Sequence, residues 1–334
     1  MISHDLRPLM GQPALALAPM AGITDKPMRQ LVKQFGATWT VGEMLTSDPS
    51  LQQTRKSLQR RDHSGETGIS VMQIAGSDPE QLAQAARLNV DNGAQVIDIN
   101  MGCPAKKVCN VAAGSALLQN EILVEKILNA VVSAVDVPVT LKTRLGWCNE
   151  NKNILTIAHM AEQAGIAALA IHGRTREQMY RGEASYDLIA QVKQEVNLPI
   201  WVNGDITSPQ KAAAVLAQTG ADGVMIGRGA QGQPWLFTDI GHYLQLGYLP
   251  EPMNFQAASE TVLSHLTAIY AFYGEHGVKI ARKHIGWYLQ RLPESENVRQ
   301  AANACTNTAE QYRLLAAFFR QQADKMAFWV RDYA

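Results

Sequence analysis

The sequence predicts an α/β chain: a (β/α)8 TIM barrel over residues 1–245, followed by an all-α helical domain over residues 253–334. Three observations carry this reading. Short apolar, often β-branched runs recur at intervals of roughly 25 to 40 residues, at 14–18, 38–41, 69–74, 96–99, 139–141, 169–171, 200–202 and 223–226. Helix-like segments lie between most of them. After residue 245 the strand signal stops and the apolar spacing becomes helical.

The runs lack apolar–polar alternation, as expected of parallel strands buried on both faces. Segment 79–92 reads as a helix capped by Ser77 or Asp78 and stopped at Asn92-Gly93. Segments 123–135, 154–164, 186–195 and 209–219 repeat the pattern, two of them ending before Gly165 and Gly220. Eight such units suggest closure into a barrel. An open doubly wound sheet is the alternative, but no early Gly-x-Gly-x-x-Gly supports it. Gly247, Pro250 and Pro252 mark a linker. Beyond it, Val262, Leu266, Ile269, Tyr270 and Tyr273, then Ile280, His284, Trp287 and Tyr288, then Leu314, Leu315, Phe318 and Phe319 trace helical faces of a bundle.

Composition narrows the function classes. The formal net charge is 0, so any nucleic-acid binding must rest on local clusters. No apolar run approaches a membrane span, and the first ten residues carry no apolar signal core, so a cytoplasmic protein is expected. The four cysteines show no Cys-x-x-Cys pairing, so neither a zinc site nor an iron–sulfur cluster is expected. Nothing marks an apolar interface, and a monomer is expected.

In a barrel the chemistry sits at the carboxyl ends of the strands. The residues leaving the eight runs are Pro19-Met20-Ala21, Glu43, Gln73, Asn100, Lys142, His172, Asn203 and Arg228. Any one of them is an ordinary loop residue, but the fold would make the set converge. Asn203-Gly204-Asp205 and Gly227-Arg228-Gly229 follow the last two runs, the usual phosphate-binding position of this fold. Glycine lets backbone amides approach an anion, and arginine adds charge-assisted hydrogen bonds. Lys142 and Gln73 suit a planar conjugated ring at the barrel mouth, although Lys142 would serve equally as an ion-pair partner of Glu43. His172 would suit a phosphate or ring carbonyl, or be a capped structural histidine.

Cys103 lies between Gly102 and Pro104, on a turn rather than in packing, with Lys106 and Lys107 close behind. A free thiol has a pKa of about 8.5, so it holds a proton at neutral pH; nucleophile and general acid both fit. Cys109, six residues on, is a candidate bystander, oxidation partner or reserve acid. Lys106, Lys107, Arg144, Arg174, Arg176 and Arg181 fall on the barrel loops, and Lys279, Arg282, Lys283 and His284 on one helix. Each cluster alone reads as a solvated face; together they suit a polyanion laid across the mouth, with Trp147 and Tyr180 as stacking or packing aromatics.

Several segments now stand together: 18–25 (Ala-Pro-Met-Ala-Gly-Ile-Thr-Asp), 73–76, 98–108 (Asp-Ile-Asn-Met-Gly-Cys-Pro-Ala-Lys-Lys-Val), 171–176 (Ile-His-Gly-Arg-Thr-Arg), 203–206, 225–228 and 281–284. In this order they resemble the tRNA-dihydrouridine synthase family, nearest its bacterial B-type branch. The resemblance implies a flavoenzyme that uses FMN and NADPH to reduce specific tRNA uridines, with the D-loop as the expected location, to 5,6-dihydrouridine. Hydride would pass from flavin N5 to C6, and Cys103 would protonate C5. Pro19, Met20 and Ala21 would lie on the flavin, and Gln73, Lys142 and His172 would touch its ring or ribityl chain. Asn203, Gly204, Asp205, Gly227 and Arg228 would hold its phosphate. Asn100, Lys106, Arg144, Arg174, Arg176, Arg282 and Lys283 are the expected tRNA contacts. A free-pyrimidine reductase of the dihydroorotate-dehydrogenase kind, or a non-catalytic RNA-binding protein, would share parts of this pattern.

Overall fold

The structure, a computed structural model, describes residues 5–109, 112–331 and 333, without the side chains of Lys106 and Lys107. The chain forms two compact units, residues 1–206 with 210–227, and residues 207–209 with 228–334.

The first unit is a parallel barrel. Its strands are β1 (Ala14–Leu17), β2 (Trp39–Thr40), β3 (Leu45–Thr46), β4 (Val71–Ala75), β5 (Val96–Asn100), β6 (Val139–Arg144), β7 (Ala168–His172), β8 (Ile200–Asn203) and β9 (Gly223–Ile226). They pair in parallel in the order β2-β1-β9-β8-β7-β6-β5-β4-β3. A parallel bridge from Val41, just past β2, to Val71 at the start of β4 brings the two ends of this order together, with β3 continuing the second strand on β4, so the sheet closes on itself. All eight expected runs are strands. β3 has no counterpart among the expected runs: it continues the second strand past a break at 42–44, and two residues make no run.

The helices follow from their ends. Asp78, of the two expected caps, accepts from the Gln81 amide and starts Pro79–Asp91. Asp25 caps Lys26–Gln34, and Asn120 caps Glu121–Val132. Gly165, at φ 87°, closes Ile154–Ala164 in the left-handed conformation that glycine adopts without a Cβ clash.

Side-chain parity decides where the barrel is apolar and where it is polar. Leu6, Met10, Ala14, Ala16, Ala18, Trp39, Val41, Val71, Val96, Ala168, Ala170, Trp201 and Met225 belong to one buried cluster. The alanines leave room for the Trp39 and Trp201 rings, whose centroids are 5.3 Å apart. Successive residues of a strand point to opposite faces. Gln73 therefore shares the face of Val71, Asp98 and Asn100 that of Val96, His172 that of Ala170, and Asn203 that of Trp201. The interior is filled with apolar side chains at the amino ends of the strands and turns polar at the carboxyl ends.

The second unit is helical: Leu236–Leu246, Phe255–Tyr273, Gly277–Leu289, Glu296–Ala304 and Thr308–Ala323. Helix Phe255–Tyr273 packs on Gly277–Leu289 and Thr308–Ala323. Val262, Leu266, Ile269, Leu315, Phe318 and Phe319 are buried as their spacing predicts. Phe255 stacks on Trp329 with ring centroids 5.3 Å apart. Among the described residues no helix is long and apolar enough to cross a membrane.

Candidate active site

The polar ends of β4, β5 and β6 are joined by an ordered chain of hydrogen bonds. Asp98 accepts from Gln73 Nε2 at 2.7 Å and from Thr140 Oγ1 at 2.6 Å. Gln73 Oε1 accepts from Asn100 Nδ2 at 2.8 Å. Asn100 Oδ1 then accepts from the amides of Gly102 and Cys103 at 3.2 and 3.0 Å. Register explains the reach, since Gln73 pairs with Asp98 and Asp98 with Thr140 across neighbouring strands. All four side chains are buried. Burial pushes the Asp98 carboxyl up to about 6, opposed by its hydrogen bonds from Thr140 and Gln73 and by the Lys142 charge.

Cys103 is half-buried, and its backbone is held from several sides. Its carbonyl accepts from the Ser115 amide at 3.1 Å and from Ser115 Oγ at 2.9 Å. Arg144 Nε donates to the neighbouring Gly102 carbonyl at 2.7 Å. Cys109 Sγ lies 3.6 Å from the same Cys103 carbonyl, as a weak donor. All four cysteines are free thiols.

Lys142 is opposite Asn100 in register, and the Met101 amide donates to its carbonyl at 2.8 Å. Its ammonium donates to Asn203 Oδ1 at 3.1 Å, while Asn203 Nδ2 donates to the Met225 carbonyl at 2.7 Å. Glu43 is engaged elsewhere, by the Gly22 amide and by Arg60. Among the described residues Lys142 thus bonds a neutral amide and no carboxylate. Burial, reinforced by the Arg144 charge, pushes its pKa down to about 8, against the pull of Asp98 and Cys103.

Beyond β7 and β8, Arg174 ties the loops together. Its Nη2 donates to Asp205 Oδ2 at 2.5 Å and to the Gly182 carbonyl at 2.6 Å. Asp205 Oδ2 also takes the Ala184 amide at 2.9 Å. Arg174 Nη1 stands 3.3 Å from His172 Nε2. A guanidinium only donates, so that nitrogen accepts and the His172 proton sits on Nδ1. The turn at Gly204-Asp205 takes φ of 119° and 51°. A Cβ at Gly204 would come within 2.9 Å of Ala184 Cβ, so this turn needs glycine for close packing as well as for its φ. At Gly227 a Cβ would meet nothing nearer than Met20 Sδ at 3.7 Å. Arg228, the next residue, belongs to the second unit and is exposed at the start of a short 3-10 turn. Met20, Ala21 and Gly22 form a tight turn in which the Met20 carbonyl accepts from the Ile23 and Thr24 amides, both at 3.0 Å.

The basic residues separate by what their heads touch. Arg144 and Arg174 are buried, and their guanidiniums brace loops: Arg144 Nη1 donates to the Thr175 and Met179 carbonyls at 3.0 and 2.8 Å. Arg176 is half-buried, with its guanidinium carbon 4.6 Å from the Trp147 ring centroid. Tyr180 is half-exposed, with its ring 5.5 Å from the Arg144 guanidinium carbon. The side chains of Lys106 and Lys107 lie outside the described residues. In the helical unit Lys279 and Lys283 are exposed on one face of Gly277–Leu289, with Arg282 half-buried beside them. His284 is not on that face: it is buried against His265, with ring centroids 4.8 Å apart, and burial holds its pKa well below the usual value.

Asp98, Thr140 and Ser115 are site residues that the reading of strand ends misses. Asp98 hides inside an apolar run, and the signal that points to it is its period-two spacing to Asn100.

The sequence model of the family described as dihydrouridine synthase matches residues 16–324. A protein of Pseudomonas putida named tRNA-dihydrouridine synthase B is 55% identical over 314 residues, 93% of each chain. Proteins of the same name from Xanthomonas campestris and Shewanella oneidensis are 56% and 54% identical, covering 92% and 91% of this chain and 93% and 95% of theirs. Family match and relatives both span the barrel and the helical unit, and on that ground the chain belongs to the dihydrouridine synthase family.

Proposed function

We propose that the chain is a flavin-dependent tRNA-dihydrouridine synthase, reducing the C5–C6 double bond of specific tRNA uridines. The observation that carries the flavin part is Lys142: a buried ammonium at the barrel mouth, paired with a neutral amide, is costly unless a ligand brings negative charge to it. FMN, when bound, supplies the hydride, with NADPH as the source of electrons.

Lys142 would face the electron-rich edge of the flavin and stabilise the charge that reduction places there. Gln73 and His172 would bond its ring and ribityl chain, Pro19, Met20 and Ala21 would pack on it, and Asn203, Gly204, Asp205 and Gly227 would hold its phosphate end. Cys103 delivers its proton to C5 on the face opposite the incoming hydride, and solvent restores the thiol. The target base must leave its stack at a cost of a few kcal/mol, which is lower in a tRNA loop. Arg176, with Trp147 beneath it, would meet the RNA at the mouth, while Asn100, Arg144 and Arg174 serve by holding the loops around it. Lys283 and Arg282 would meet phosphates from the helical unit. The reading places the protein in the cytoplasm, as a monomer without a metal ion.

The test is the purified protein with NADPH and unmodified tRNA. It should be yellow and form dihydrouridine in the tRNA. A colourless protein, or activity on free uracil or dihydroorotate alone, overturns the reading. Within it, Lys283→Ala should weaken tRNA binding and lower the salt slope of binding by about 1, while NADPH still reduces the flavin. Filter binding across a salt series reads this, and an unchanged affinity removes the helical unit from the tRNA surface.

A further inference from the structure

We propose that Asp98 is a positioning residue for Cys103, setting the direction of a hydrogen-bond relay that runs through Gln73 and Asn100 to the Cys103 backbone. This rests on Cys103 as the proton donor and names what aims it.

Each amide in the relay can point either way by its own chemistry, since the carbonyl oxygen and the amino group of Asn and Gln differ little in size. Something must choose. Asp98 accepts only, so the Gln73 amino group must turn toward it. That leaves Gln73 Oε1 for Asn100 Nδ2, and Asn100 Oδ1 for the Gly102 and Cys103 amides. Were Gln73 reversed, two amino groups would meet at Asn100. Asn100 would then reverse as well and turn its amino group on two backbone N–H groups. The loop carrying the thiol would lose its anchor. Asp98 is buried and bonds Gln73 and Thr140 rather than the thiol loop itself; its influence on the reaction is through this order.

Thr140 gives the relay a discriminating test, because its hydroxyl donates to Asp98 but is also able to accept. In Asp98→Asn the new amino group can face Thr140 Oγ1 and leave its oxygen for Gln73, so the relay keeps its direction. In Thr140→Val the carboxylate still accepts from Gln73. With both changes together, the new amino group at position 98 has no acceptor at position 140 and the direction is no longer enforced. Both substitutions are close in shape to the native residues.

Two readouts apply to the flavin-loaded protein: the rate of Cys103 alkylation by iodoacetamide, resolved by peptide mass, and kcat against KM for tRNA. Each single variant is expected within about threefold of wild type on both. The double variant is expected to lose about tenfold in kcat, more than the product of the singles, with KM and flavin content held and the Cys103 alkylation rate displaced. Losses in the double that equal the product of the singles, or an Asp98→Asn variant as impaired as the double, overturn the relay. If Cys103→Ala proves fully active while alkylation follows the expected pattern, the proton-donor reading has failed and the relay stands.

Discussion

Cys103→Ala should lower dihydrouridine formation by about 10²-fold or more, while flavin content, flavin reduction by NADPH and tRNA affinity stay at wild-type levels. The size follows from the usual contribution of a positioned general acid. The selectivity follows from how the loop is held: its anchors are Asn100, Ser115 and Arg144, all gripping backbone atoms of Gly102 and Cys103. Removing the thiol leaves each of them in place, so the alanine variant should keep its shape and lose one proton transfer. Cys103→Ser separates acidity from geometry. A hydroxyl fits the same space but holds its proton far more tightly than a thiol, so the serine variant should stay close to alanine. Measuring dihydrouridine per tRNA in single-turnover reactions, with the flavin reduced beforehand, isolates this step. A fully active alanine variant would remove the acid assignment, and a covalent thiol–RNA adduct in the wild type would favour the nucleophile that the sequence leaves open.

The barrel is legible in the sequence because its strands are parallel and buried on both faces, which turns each into a short apolar run, and because glycine and asparagine punctuate the helices. Only β3 escapes, being a two-residue continuation beyond a break. The set of rim residues is legible too, since a barrel brings every strand end to one mouth. Their partners are not. Lys142 sits with Asn203, sixty-one positions away, rather than with Glu43, because closure through β6, β7 and β8 makes them near neighbours. Charge is least legible. Arg144 and Arg174 read as cations for a polyanion, yet their heads are spent largely on backbone carbonyls, and His284 reads as basic but is buried against another histidine. A one-dimensional sequence shows that a charge exists; only packing shows what it faces.

Lys142→Met should cost flavin-dependent turnover about 10²-fold, through loss of a buried ammonium at the mouth that has no carboxylate hydrogen-bonded to it among the described residues. Its pH signature distinguishes this from simple damage. The Lys142 pKa is lowered from 10.5 to about 8 in the folded chain. Between those values the unfolded chain holds a proton that the folded chain has released, so stability rises with pH, and the contribution is lost as pH falls through about 8. At pH 7 the folded flavin-free protein therefore carries its ammonium at a cost. Between pH 7 and pH 9 the flavin-free wild type should gain on the order of 1 kcal/mol over Lys142→Met, which lacks the titrating group. For a chain of this size that is a relative rise in Tm of about 1 to 2 °C. A bound anionic ligand beside Lys142 favours the charged form, so FMN should flatten this difference. Melting curves of both proteins at pH 7 and pH 9, with and without FMN, read the whole set. Equal offsets at the two pH values would show that Lys142 does not titrate there, and an FMN-independent offset would show that the negative charge it serves is not the flavin's.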